Sequence, residues 1–320
     1  MEPKVFIVIL NWNQGAMTLD CLRSLQSLNY ANYQVVLVDN GSTDGSPDLV
    51  RAQFPECILI ESKVNLGYSE GNNLGIRYAL EHGADFLLLL NNDTLVDGEM
   101  LTRLVQAAQS DPQIGITGPT MFYANPPDML WGGENRVVWP RATVVRSRMG
   151  ECLEAETLRR QAPLEADYID SCAILIKREV LEKVGLFDGR YFINFDDVDF
   201  NLRARKAGYK VQYVPGALMW HKVSAAMGVG SPATTYYMTR NSLLFFNRHA
   251  PGLWKWAGLA RILFNTLRTT AAWSLQSEYR TEAYQRRRSA NLLAVRDFLS
   301  GRFGRMGADV AQACAGKPSA

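Results

Sequence analysis

The chain has no C-x-x-C pair, no apolar run long enough to cross a bilayer, no G-x-G-x-x-G fingerprint and no P-loop lysine. Each absence removes a class. The five cysteines Cys21, Cys57, Cys152, Cys172 and Cys314 have no paired spacing, and Cys21, Cys57 and Cys172, in apolar or helical contexts, read as reduced core residues, which suits a cytoplasmic protein. With no spanning run, and with Met1–Lys4 leading straight into a short apolar segment that is no signal peptide, a cytoplasmic location is expected. Charge of one sign is also missing. Lys and Arg number 34 against 32 Asp and Glu in 320 residues, a formal net charge of +2, which argues against bulk binding of nucleic acid. Internal repeats and low-complexity tracts are absent too, so a globular chain of one large domain, or one domain plus an appendage, is expected.

What is present is an alternation of buried strands and helices. Val5–Leu10, Val35–Val38, Ile58–Ile60, Phe86–Leu90 and Ile114–Gly118 are short apolar runs. Between them lie helical patterns over 16–28, 47–54, 69–81 and 98–108. Repeated βα units of this length predict an α/β fold, a mostly parallel central sheet flanked by helices. From 121 to 148, turn residues between short β-branched pieces predict a hairpin or lid over the sheet edge. Tyr168–Ile176 reads as a core strand and Asp197–Ala207 as a helix closed by Gly208.

Several polar groups fall where those strands end, and open α/β sheets bind ligands at the carboxyl ends of their strands. Leu88-Leu89-Leu90 stops on Asn91-Asn92-Asp93, which is either a turn into the next helix or a place for a hard cation and a phosphate. Asn11 and Asn13 end the first strand, and Asp39 ends the second. A carboxylate there accepts hydrogen bonds from a base N–H or a sugar hydroxyl. Gly67, Gly71 and Gly75 stand four apart, on one helix face, and allow close approach of a strand or of a ligand. Asp196-Asp197-Val198-Asp199 opens a helix. Capping accounts for one carboxylate, but three in four residues exceed that need, and one of a close pair can be tuned into a general base. His221 follows an apolar strand and is either a satisfied core residue or a metal ligand.

In order and spacing, five segments resemble the inverting glycosyltransferases of family 2, in their rhamnosyltransferase-like branch: Val8–Asn13, Val38–Ser46, Asn65–Gly75, Asn91–Asp93 and Asp196–Arg205. The likeness covers about residues 4–250. It implies the GT-A (nucleotide-diphospho-sugar transferase) fold over 1–250, with 251–320 as a helical extension. It also implies a dTDP-sugar or UDP-sugar donor, with rhamnose from dTDP-rhamnose as the expected sugar. Asp39 would bind the base with help from Asn11 and Asn65, and Asn92 would reach the ribose. Asn13, Gly67 and Asn72 would belong to the same donor site. Asp93 would hold a divalent cation, Mg²⁺ or Mn²⁺, with His221 on the metal or the diphosphate. Asp197 would be the catalytic base. Tyr236, Tyr237, Arg240 and Asn241 match a Tyr-Tyr-x-x-Arg-Asn segment of the branch, with Arg240 expected near the diphosphate or the acceptor.

Two departures stand out. The usual D-x-D is Asn91-Asn92-Asp93, which leaves a single carboxylate, and the usual Glu-Asp pair is Asp196-Asp197. The Q-x-x-R-W motif of processive polymerases is missing, which favours one transfer per binding event. The acceptor is expected to be a glycan or a lipid-linked glycan in surface polysaccharide synthesis. The rival readings are a sugar-1-phosphate nucleotidyltransferase, which would need a glycine-rich loop after Leu10, and a non-catalytic nucleotide-sugar-binding module. From Trp254 onward, apolar helical spacing is interspersed with Lys255, Arg261 and Arg268, and Arg286-Arg287-Arg288 follows. This predicts helices that contact the core or a second copy of the chain, or that lie peripherally on the inner face of an anionic membrane.

Overall fold

The computed structural model describes residues 2–222 and 230–315, which divide into two compact units. The first comprises the described parts of Met1–Arg136, Val145–Asp188 and Phe200–Val223. It begins with β1 (Val5–Asn11), α1 (Gly15–Leu25), β2 (Tyr33–Asp39), α2 (Ser46–Gln53), β3 (Ile58–Glu61) and α3 (Gly67–Glu81). Next come β4 (Phe86–Asn91), β5 (Thr94–Val96), α4 (Met100–Gln109), β6 (Ile114–Tyr123), β7 (Leu130–Gly132), β8 (Asn135–Val138) and β9 (Thr143–Arg146). The series ends with α5 (Ala155–Arg159), β10 (Leu164–Glu165), β11 (Ala173–Lys177), α6 (Arg178–Val184), α7 (Asp196–Lys206) and β12 (Lys210–His221).

The main sheet runs β10-β12-β6-β11-β4-β1-β2-β3, with β5 on β12 and β7 on β6. Strands β3, β2, β1 and β4 are parallel neighbours, as the βα alternation predicts. Because side chains alternate across a strand, β1 feeds two cores: Val5, Ile7 and Ile9 enter one, Phe6 and Val8 the other. Burial on both faces explains why these strands read as continuous apolar runs. Gly71 and Gly75 of α3 serve this packing. A Cβ on Gly75 would meet Val8 Cγ1 at 2.4 Å, and one on Gly71 would meet Leu10 Cδ1 at 2.7 Å. The approach they permit is therefore to strands.

Two stretches depart from expectation. Tyr168–Ile176 is a strand only over Ala173–Lys177, and it lies antiparallel to both β4 and β6. Buried irregular chain and buried strand carry the same apolar signal, so periodicity does not separate them. The Asn91–Asp93 turn leads into β5, three residues that are too few to show an alternation. Strand β5 pairs antiparallel with the end of β12, setting Thr94 opposite His221. Between 121 and 148, β7 returns along β6, and β8 pairs with β9 as the expected hairpin.

The second unit comprises the described parts of Val137–Val144, Gly189–Asp199 and Ser224–Ala320. It holds the first turn of α7 together with α8 (Pro232–His249), α9 (Leu253–Leu275), α10 (Glu282–Leu299) and α11 (Ala308–Ala315). Tyr236 and Tyr237 of α8 pack with Ala290 and Ala294 of α10 and Val310 of α11. Tyr236 OH donates to Asp297 Oδ2 at 2.7 Å, which satisfies two buried polar groups at once.

All the cysteines are free. Cys21 is buried and Cys57 and Cys172 are half-buried, whereas Cys152 is exposed. Its surface site in a loop with little apolar periodicity gives no sequence signal.

Candidate active site

Parallel registry aligns the ends of β2, β1 and β4, placing Asn11 beside Asp39 and Leu10 beside Asn91. From there a closed hydrogen-bond network spreads. Asn11 Nδ2 donates to Asp39 Oδ1 (2.9 Å) and Ser42 Oγ (3.1 Å). Its Oδ1 accepts from Thr18 Oγ1 (2.9 Å) and Asn92 Nδ2 (3.4 Å), and Asn92 Nδ2 also donates to Thr18 Oγ1 at 3.0 Å. Asp39 Oδ2 accepts from Ser42 N at 2.9 Å. Asn11 is fully buried, so it acts as a link between the Asp39 and Asn92 ends of the site. Each carboxylate oxygen has a second lone pair, so Asp39 keeps acceptor capacity for a ligand N–H.

The neighbouring loops are fastened to the same strand ends. Asn13, at φ 53°, accepts from Thr43 N through Oδ1 at 2.7 Å. Asn65 Oδ1 accepts from Gly67 N (2.8 Å), while Asn40 Nδ2 donates to Asn65 Oδ1 (3.2 Å) and Gly67 O (3.1 Å). Asn40 Oδ1 accepts from Leu66 N at 2.8 Å. Asn40 thus staples the loop that carries Asn65 and Gly67. Gly41 lets the two loops meet: its φ is +78°, and a Cβ there would lie 2.7 Å from Val64 C. Asn72 is buried, with Nδ2 donating to Tyr68 O at 2.9 Å inside its own helix. Thr18 and Asn40 were not singled out from the sequence. Asn40 had a signal in its place directly after a strand-end carboxylate, and Thr18, lost in a helical pattern, had none.

The three residues of Asn91-Asn92-Asp93 go separate ways. Asn91 Oδ1 accepts from Tyr68 OH at 2.9 Å, Asn92 joins the Asn11–Thr18 network, and Asp93 Oδ1 meets His221 Nε2 at 3.0 Å. Pairing of β5 with β12 is what brings Asp93 and His221 together across 128 residues. Both are buried. The other ring nitrogen, His221 Nδ1, is buried and has no hydrogen-bond partner among the described residues, and Trp131 stands edge-on to the ring at 4.7 Å between centroids. Arg146 lies over Trp131 at 4.1 Å and pairs with Asp170 at 2.8 Å. Burial works against the Arg146 charge, but the Asp170 carboxylate more than offsets it and the guanidinium pKa is raised.

The second unit presents the acidic segment. Asp196, Asp197 and Asp199 occupy the first turn of α7, with Arg203, Arg205 and Lys206 in its last, the arrangement the helix dipole favours. Asp199 is fully buried, accepting from His249 Nε2 (2.7 Å), Arg248 Nη1 (3.1 Å) and Tyr191 OH (3.2 Å). Asp197 is only half-buried, with Oδ1 accepting from Val198 N at 2.8 Å. The residues just before it are strained. Phe192, Asn194 and Phe195 have φ of 65°, 67° and 68°, left-handed values that cost an L-residue about 1–2 kcal/mol each.

Asn241 and Arg240 hold that loop. Asn241 Nδ2 donates to the carbonyls of Tyr191 (2.8 Å), Ile193 (2.8 Å) and Asn194 (3.0 Å). Arg240 Nη2 donates to Arg190 O and Tyr191 O, both at 3.2 Å. Its Nη1 reaches Gly304 O and Tyr236 OH, and its Nε reaches Asn241 Oδ1. The fully buried guanidinium therefore spends its donors inside its own unit, which corrects the expectation of a diphosphate or acceptor contact at Arg240. Sequence spacing marked the Tyr-Tyr-x-x-Arg-Asn segment but not the loop it secures.

A family profile, "Glycosyl transferase family 2", matches residues 6–185, more than half of the chain. The chain belongs to that family. It is a glycosyltransferase, with the GT-A fold that the likeness of its sequence implied. It is similar to the N-acetylglucosaminyl-diphospho-decaprenol L-rhamnosyltransferase of Mycobacterium tuberculosis, at 28% identity over 271 residues, covering 78% of this chain and 86% of that one. It is also similar to the dTDP-rhamnosyl transferase RfbF of Shigella flexneri, at 24% identity over 279 residues, 84% of this chain and 88% of that one. Among solved structures, the mannosyltransferase PcManGT of Pyrobaculum calidifontis, in complex with GDP-Man and Mn²⁺, superposes with a TM-score of 0.56 at 18% identity, covering 94% of this chain and 88% of that one.

Proposed function

We propose that this glycosyltransferase moves rhamnose, with inversion, from dTDP-rhamnose to a hydroxyl of a glycan or lipid-linked acceptor in surface polysaccharide synthesis, at the cytoplasmic face of a membrane. The observation that carries the reading is the buried Asp93–His221 pair beside the Asp39–Asn11–Asn92 network, since a carboxylate corner for the metal and another for the base, on the strand ends that flank β1, suit the two ends of a nucleoside diphosphate. The choice of rhamnose rests on two relatives that match most of both chains and are named as rhamnosyltransferases. Among the described residues no helix is long and apolar enough to cross a membrane, so a membrane-borne acceptor would be met from the surface.

The residues divide the work. Asp39 accepts hydrogen bonds from the base, with Asn11 holding its carboxylate and Asn65 at the neighbouring loop; Asn13, Gly67 and Asn72 shape the loops around it. Asn92 reaches the ribose. A divalent cation would fit at Asp93 and His221, whose Oδ1 and Nε2 face each other at 3.0 Å: a carboxylate oxygen and an imidazole suit Mn²⁺ or Mg²⁺. With Asp93 as its one carboxylate ligand, the cation would draw on the phosphates of the donor for further oxygen ligands. When bound, the cation neutralises charge on the departing diphosphate.

Asp197 acts as the base. As the acceptor oxygen forms its bond to the anomeric carbon, the bond from that carbon to the diphosphate breaks, the acceptor proton passes to the Asp197 carboxylate, and dTDP leaves from the opposite face. General-base catalysis of this kind is worth about 10²–10⁴ in rate. The test is incubation with a panel of dTDP- and UDP-sugars and Mn²⁺ or Mg²⁺, comparing nucleoside-diphosphate release by the wild type with Asp197→Asn. Release from dTDP-rhamnose and its collapse in the variant are expected. Equal release by both proteins refutes the assignment of the base, and preference for another donor refutes the choice of sugar.

A further inference from the structure

Helix α9 carries an apolar face that the fold does not cover. A surface helix normally turns its apolar stripe inward, yet the buried residues of α9 are Gly258, Thr266 and Thr270. Leu259, Ile262, Leu263 and Trp273 are half-buried, but a second set of bulky residues faces out: Leu253 is 85% exposed, Trp256 67% and Phe264 64%, with Leu267 and Leu275 also exposed. Their spacing of three, eight, three and eight residues, bridged by the exposed Ala260 and Ala271, draws one stripe along the helix. At 1.5 Å per residue the stripe is about 33 Å long. Arg261 and Arg268, seven apart and both exposed, run along one edge of it, and no Asp or Glu occurs anywhere in Leu253–Leu275.

We infer that this face of α9 lies on an anionic lipid surface, with the Leu253–Leu275 stripe in the acyl boundary and Arg261 and Arg268 among the lipid phosphates. Tryptophan, phenylalanine and leucine beside arginines suit that boundary, where apolar and anionic layers meet within a few ångströms. The charge pattern separates this occupant from a second copy of the chain. Pairing two α9 helices would bury the stripe but would bring the arginine edges to a helix that offers no carboxylate. A helix that lies flat needs no spanning length, in keeping with the absence of any spanning helix among the described residues. The inference deepens the reading of a membrane-borne acceptor, and it rests on that reading only for its purpose.

The test is co-sedimentation of the full chain with phosphatidylcholine vesicles, with and without phosphatidylglycerol. Vesicle binding needs neither donor nor acceptor, so its failure would leave the catalytic reading intact. The wild type is expected to bind the anionic vesicles, and more weakly at high salt. Arg261→Gln with Arg268→Gln should weaken that binding roughly 30-fold, from about 1 kcal/mol per basic residue at such a surface. Trp256→Glu with Phe264→Glu should abolish it. Both variants change exposed positions only, and both should keep the wild-type melting temperature. Wild-type protein that ignores anionic vesicles, or glutamate variants that bind as well as wild type, would overturn the proposal. So would a wild-type dimer in sedimentation velocity that the glutamates break while vesicle binding persists.

Discussion

Replacing Asn241 by Ala tests whether the strained loop before Asp197 is held by α8. The amide nitrogen of Asn241 has two hydrogens and three carbonyl partners within 3.0 Å, so one hydrogen is shared. At about 1 kcal/mol net for each hydrogen bond, the side chain contributes about 2–3 kcal/mol. Against it stand three left-handed non-glycine residues, Phe192, Asn194 and Phe195, with a combined cost of about 3–6 kcal/mol. Arg240 and the Asp199 contacts offset the rest. Without Asn241 the balance tips, and the first turn of α7 is no longer presented in one geometry. Because misplacing a reacting group by 1 Å can cost about 100-fold, kcat should fall roughly 10- to 100-fold. KM for the donor should hardly move, since the residues proposed to bind the donor lie in the other unit. The melting temperature should drop by roughly 4–10 °C. Steady-state kinetics beside thermal unfolding reads all three. A second substitution sharpens the test: Asn194→Gly in the Asn241→Ala background removes one left-handed penalty and should recover part of kcat. A folded Asn241→Ala enzyme with wild-type kcat would refute the reasoning.

Asp93→Asn should raise the concentration of Mn²⁺ needed for half-maximal activity by at least about tenfold, because removing a charged ligand costs more than 1.4 kcal/mol; a metal titration of initial rates checks this. Gly75→Ala should cost about 1–3 kcal/mol through overpacking, because its Cβ would sit 2.4 Å from Val8 Cγ1, and denaturant unfolding would show it as a lower midpoint. Burial pushes the Cys21 thiol up to about 12, above an unfolded value of about 8.5. Its contribution to stability is therefore complete below pH of about 8.5 and is lost as pH rises towards 12. A thiol reagent at pH 8 should label the exposed Cys152 within minutes and Cys21 only on unfolding; rapid labelling of Cys21 in the native protein would contradict its burial.

Much of this was legible in the sequence because local patterns carried it. Apolar runs buried on both faces gave β1, β2 and β4, and the residues at their ends gave Asn11, Asp39 and the Asn91–Asp93 corner, since a parallel βα alternation leaves few places for a strand to finish. The basic and aromatic character of α9 was equally visible. What the pattern could not show was direction or partner. That β11 runs antiparallel between β4 and β6 depends on chain return, which periodicity does not encode. The same holds for β5, too short to alternate, whose pairing with β12 brings His221 to Asp93.

The tertiary structure also decided which faces and donors are spent. Helical spacing put Gly71 and Gly75 on one face but left open whether a strand or a ligand came close; the side chains of Val8 and Leu10 fill that place. The apolar spacing of α9 left open whether its face packs on protein or meets a membrane surface, and only the burial of Gly258, Thr266 and Thr270 on the opposite side shows that the stripe is turned outward. Arg240 looked like a charge awaiting an anion. An isolated sequence gives an arginine five donors and no record of where they go, and here three of them go to backbone carbonyls of residues some 50 and 64 positions away. Sequence by itself determined the candidates for the chemistry, because residue type and position at the end of a strand or the start of a helix are local properties. Which of them stay available for it was decided by contacts between distant segments, and those exist only once the chain has folded.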